Sequence, residues 1–175
     1  TGTVAARSSK GKYVLVTDYA GNLAIRDPLT YKDYGKCIGG STGYFSPDEK
    51  NAIVTDNKGI TRLYECATGK EIAQMKGSSN SFSYHGDLVF SYDSVKNNYA
   101  VFDRKKGTEL GSVSGYFSGI SQDASRFSTA TSESNGDTTY RIYDASNLKP
   151  LHELKNQYVS GFSKDGKRFL KTVKG

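Results

Sequence analysis

The chain has 175 residues, 35% of them hydrophobic and 24% charged, with a net charge of +6; it is long enough to bury a core and is not the low-hydropathy, high-charge composition of a disordered chain. Thirteen Tyr, eight Phe and nineteen Gly, against three Pro and no Trp, favour strands joined by tight turns. No run approaches the roughly 20 apolar residues of a membrane-spanning helix, and the opening TGTVAARSSKGKY lacks the apolar centre of a signal peptide. The chain therefore reads as soluble, with no compartment indicated, and its start at Thr1 rather than Met is compatible with a piece of something longer.

In chain order, a self-similar unit recurs. SSKGKYVLVTDYAGNLAIRDPLTYKDYGKCIGG is followed by GYFSPDEKNAIVTDNKGITRLYECATGKEIAQMKG, then by SFSYHGDLVFSYDSVKNNYAVFDRKKGTELGSVSG. A fourth copy begins GISQDASRFSTATSESNGDTTYRIYD, and a fifth, GFSKDGKRFLKTV, stops early. In the second copy, alternation and punctuation predict strands over 43–46, 51–55, 60–65 and 71–76. Turns at 47–50, 56–59 and 67–70 separate them, with Asn57 and Gly59 supplying the positive φ that tight hairpins need. The units run approximately 1–40, 41–78, 79–115 and 116–156, with a partial one over 157–175.

Two landmarks set the register. A Ser opening the first turn recurs at Ser9, Ser46, Ser83, Ser121 and Ser163, and an acidic residue closes the third strand at Asp27, Glu65, Asp103 and Asp144. A period near 40 with four strands per unit predicts an all-β chain of four-stranded antiparallel propeller blades, about four complete and half of a fifth. Each blade has two apolar faces and buries them only by stacking on its neighbours. The residues expected between blades include Val14, Leu23, Ile25, Ile53, Leu63, Val89, Phe90, Val101, Phe127 and Ile142. An incomplete set leaves edges and an apolar face uncovered, which implies a segment of a larger propeller or a ring completed by self-association.

The turn Ser163-Lys164-Asp165-Gly166-Lys167 and third strands ending in aromatic-acid pairs, Tyr64-Glu65, Phe102-Asp103 and Tyr143-Asp144, resemble the WD-repeat-like propellers, including bacterial ones. Arg26-Asp27 departs from that pair, and the Gly-His dipeptide of strict members is absent, which places the chain among degenerate relatives without the Asp-His-Ser-Trp hydrogen-bond network. The resemblance implies that the loops between second and third strands, together with the connections between blades, share one recognition face. The residues there are Tyr19, Asn57, Lys58, Tyr92, Lys96, Tyr116, Asn135 and Tyr158. Tyr suits a protein interface because it joins apolar area to a polar tip.

Little else in the sequence carries chemistry. Cys37 and Cys66 lack disulfide or C-x-x-C spacing and read as unpaired structural thiols, while His85 and His152 have no partner at ligand spacing. No nucleophile or phosphate-loop motif occurs, and the acidic turns lack EF-hand spacing. No catalytic residue, cofactor or metal is expected. The leading expectation is a noncatalytic scaffold for a protein or peptide; the alternative is a small-molecule, glycan or cation site, with enzyme or sensor function, at the central channel. Lys and Arg are scattered through the turns, so nucleic acid is disfavoured unless the fold gathers them on one face.

Overall fold

The computed structural model describes residues 2–37, 39–77, 79–83 and 86–173, which leaves His85 and Lys174 outside it. The first sheet is a meander of β1 (Thr3–Arg7), β2 (Val14–Thr17), β3 (Leu23–Arg26) and β4 (Asp33–Cys37). The second holds β5 (Gly40–Phe45), β6 (Asn51–Asp56), β7 (Ile60–Glu65) and β8 (Glu71–Lys76), and the third β9 (Ser79–Phe82), β10 (Leu88–Asp93), β11 (Asn98–Asp103) and β12 (Thr108–Ser114). The fourth holds β13 (Tyr116–Ile120), β14 (Arg126–Ser132), β15 (Thr138–Asp144) and β16 (Pro150–Lys155); β17 (Gln157–Phe162) and β18 (Phe169–Val173) form a two-stranded fifth. All pairings are antiparallel between consecutive strands, and no helix occurs among the described residues.

Local chemistry explains why each unit folds alike. In every first turn a buried or half-buried Ser accepts, through Oγ, the amide proton of the residue five positions on: Tyr13 to Ser8 (2.9 Å), Asn51 to Ser46 (3.0 Å), Leu88 to Ser83 (3.0 Å), Arg126 to Ser121 (2.9 Å) and Arg168 to Ser163 (3.0 Å). The first landmark is therefore Ser8, not Ser9. Ser9 instead reaches across to the Pro47 carbonyl of the next sheet, a distinction a Ser-Ser dipeptide hides. At the other hairpin, the backbone carbonyls of Asp27, Glu65, Asp103 and Asp144 accept from residues Tyr31, Gly69, Gly107 and Leu148, all at positive φ. A bulge follows each of these hairpins at Ile25/Arg26, Leu63/Tyr64, Val101/Phe102 and Ile142/Tyr143, adding the twist a blade requires.

The sheets stack face to face. Successive residues of one strand point to opposite faces, so Val54 packs toward the first sheet with Leu15, Leu23 and Ile25, while Ile53 packs toward the third with Val89 and Phe102. The same alternation sends Phe90 against Phe127 and Tyr143 of the fourth sheet. Burying each such Leu, Ile or Phe is worth about 1.5–3 kcal/mol, and this interlayer burial fixes the order of the blades. The stack stays open: among the described strands none joins the first sheet to the fifth. The outer face of the first sheet is a shallow cavity of about 400 Å³ lined by Val4, Val14, Val16 and Tyr31, and Leu170 on β18 is 73% exposed.

Candidate functional site

The hairpins define two ends of the stack. At one end lie the loops between second and third strands. In the first three blades each starts with an aspartate that caps its own turn: Asp18 accepts from the Ala20 and Asn22 amides, Asp56 from Lys58 and Ile60, and Asp93 from Val95 and Lys96. The amide of Asn22 holds the Asp18 carboxyl below its usual range, and the Arg62 guanidinium at 2.9 Å does the same for Asp56. With the carboxylates turned inward, the next residues project: Tyr19 and Val95 are each 93% exposed.

Between the second and third sheets this end opens into a cavity of about 570 Å³ lined by Lys58, Gly59, Ile60, Lys76, Asp93 and Val95. Lys76 and Asp93 also line a second recess of about 290 Å³, which runs past Lys96 toward Met75 and Phe102. Lys58 and Lys96 thus flank one groove. Tyr92 and Tyr116 come together where the third and fourth blades meet, with ring centres 6.2 Å apart, and Tyr99 packs 4.9 Å from Tyr92. Tyr92 Oη donates to Asn97 Oδ1, and incomplete hydration together with the Tyr116 and Tyr99 neighbours raises its phenol above the usual range. Tyr158 packs edge-on to Tyr140 at 5.5 Å.

Asn57 stands at the tip of its turn beside Lys58, and Asn135 is tied into its own turn through Asp137. Tyr19 sits on the first sheet, away from the groove between the second and third. Lys76, Val95, Tyr99 and Tyr140 were missed by sequence reasoning, although Tyr140 and Tyr99 hold the same register, four residues before Asp144 and Asp103.

The opposite end carries the first and third hairpin turns of the four complete blades and the single hairpin turn of the fifth sheet, and they touch their neighbours. The Lys10 amide donates to Glu49 Oε1 of the next blade, Arg104 reaches back to Asp48 and Asn51, and the Asp123 amide donates to the Lys164 carbonyl. Cys37 and Cys66 are free and buried, and burial pushes each thiol up to about 12. His152 lies on exposed β16, 5.4 Å from the Phe169 ring. Among the described residues no three His, Cys, Asp or Glu side chains converge as a metal site.

No family model matches the chain, and no curated protein does. Solved structures do. Hydrazine synthase from Kuenenia stuttgartiensis is 16% identical over 92% of this chain and 52% of its own, with a TM-score of 0.56. The WD40 domain of Toxoplasma gondii coronin is 13% identical over 88% of this chain and 48% of its own, with a TM-score of 0.58. The fold is that of an open, propeller-like stack of antiparallel sheets. It spans about half the length of each of these structures.

Proposed function

We propose that the chain is a noncatalytic scaffold that binds a protein or peptide at the end bearing the loops between second and third strands. The observation that carries this reading is the set of large exposed side chains at that end, Tyr19, Val95, Tyr116 and Tyr158, of which Val95 lines the groove flanked by Lys58 and Lys96. Such residues supply the apolar anchors and polar rim of a protein interface, and loops on a rigid sheet stack hold them in place. A displayed random-peptide library selected against the intact chain tests it. Enriched peptides should lose binding by at least about tenfold, 1.4 kcal/mol, to Val95→Asp or Tyr116→Ala. Selection of nothing, or of peptides indifferent to both changes, sinks the reading.

Self-association belongs to the same proposal. The first-sheet cavity, beside exposed Val4 and Tyr31, and the exposed Leu170 offer two sheet faces for a second copy to cover. Light scattering at several concentrations should give a discrete dimer; a monomer at every concentration removes this part alone.

A further inference from the structure

The lysines that look scattered in sequence gather in space. Because the first and third hairpin turns of neighbouring blades touch, their tips form one continuous end surface. The outer row of turns presents exposed Lys32, Lys70, Lys105, Lys106 and Lys149, at least one from each complete blade. An inner row carries exposed Lys10 and Lys12 at one side and Lys164, Lys167 and Arg168 at the other. Of the carboxylates on these turns, Glu65, Asp87, Asp123 and Asp165 are exposed, and most of the others are drawn into local hydrogen bonds. Asp27 accepts from the Leu29 and Thr30 amides, Asp103 from Lys106, Asp144 from Ser146 and Asp165 from Lys167, while Asp48 is held by Arg104. Lys and Arg outnumber Asp and Glu on these turns, so the net charge of this end is positive.

We propose that this end binds the phosphate backbone of duplex nucleic acid without reading its sequence. Three features favour that partner over an acidic protein. Apart from Leu29 and Tyr31 at its first-blade edge, the turns at this end carry none of the large exposed apolar side chains, and a protein interface needs such anchors at its desolvated centre. The exposed cations are almost all lysine, a hydrated point charge suited to phosphate rather than to bidentate base recognition. The charges also spread in two dimensions, with hairpins of one sheet and stacked sheets each about 10 Å apart. A duplex carries a phosphate per about 1.7 Å of its axis on two strands, whereas an extended peptide presents a single line of charge. This surface is separate from the loop-end groove, so either proposal can fail alone.

The test is fluorescence anisotropy of a labelled mixed-sequence DNA duplex titrated with the intact chain at several salt concentrations. If about six phosphates are engaged, affinity should fall on the order of 10³-fold between about 50 and 200 mM salt. Each of Lys32→Ala, Lys70→Ala, Lys105→Ala and Lys149→Ala should lower the log–log salt slope by about 1, whereas Lys36→Ala and Lys155→Ala at the loop end should leave it unchanged. These positions are exposed, and unchanged melting of each variant confirms that the fold is kept. The proposal is overturned by absence of duplex binding at low salt, by equal loss in the loop-end variants, or by tighter binding of a polyglutamate of matched charge.

Discussion

Arg104, on the outer hairpin turn of the third blade, places Nη1 2.8 Å from both carboxylate oxygens of Asp48 in the second blade and 2.9 Å from Asn51 Oδ1. The arginine is 4% exposed, and among the described residues its Nε has no hydrogen-bond partner. Asp48 in turn accepts from Ser46 Oγ, and Asn51 donates to the Tyr64 carbonyl. One cation therefore ties the turns of two blades. The corresponding residues, Cys66 and Ala145, belong instead to the apolar clusters between blades.

Arg104→Ala should destabilise the chain by about 2–4 kcal/mol, because it strands a partly buried carboxylate and leaves a void. Urea unfolding gives the figure. A loss within the roughly 0–1 kcal/mol of an exposed pair would show that the contact does not hold the blades together.

The same pair sets a pH dependence. Burial raises the Asp48 carboxyl, but hydrogen bonds from Ser46, the Lys50 amide and Arg104 outweigh it, so the folded value lies below the usual carboxylate range. A lowered folded value means that the stabilisation is complete above the unfolded value near 4 and disappears as pH falls through the folded one. The difference in urea midpoint between the parent and Asp48→Asn should thus be full at neutral pH and shrink below about pH 4. A difference that stays constant down to about pH 2 would contradict this assignment.

Ala124 occupies the turn position at φ 56 where three other blades carry Gly11, Gly86 and Gly166. Ala124→Gly should stabilise by about 0.5–1 kcal/mol, the relief of left-handed strain less the added freedom of the unfolded chain. Leu148, at φ 58, gains nothing from the same change, because its side chain packs on the core between the third and fourth blades. Thermal melting should therefore rise for Ala124→Gly and fall for Leu148→Gly, which loses that packing.

Cys37 and Cys66 should resist an aromatic disulfide reagent at about pH 8, where thiols pushed up to about 12 are ionised to only about one part in ten thousand. Labelling in urea should follow the unfolding transition. Rapid labelling of the folded chain would mean that the core around these thiols opens without global unfolding.

How much was legible in the sequence follows from the range of each interaction. The strands are short-range facts: alternating Ile53 and Val54, a Ser that caps its own turn, and Asx turns at Asp18, Asp56 and Asp93 are settled within five residues. The four-blade plan could accordingly be read from spacing. Ser9 was preferred to Ser8 because adjacent serines are equivalent until one of them is asked to bond Tyr13. At the candidate site, Tyr92 and Tyr116 read as loop residues, whereas they lie in β10 and β13, and their packing was not legible because it depends on how the third blade meets the fourth.

The sequence by itself determined the repeat, the strand order within each blade and the residues that turn each hairpin, because those follow from period-2 burial and local hydrogen bonding. Tertiary structure decided what the repeats do to one another. Arg104 and Asp48 are 56 residues apart, and lysines dispersed along the chain share one end only because the blades stack with their turns in register. No local pattern encodes that alignment; it arises from burying both faces of each sheet at once.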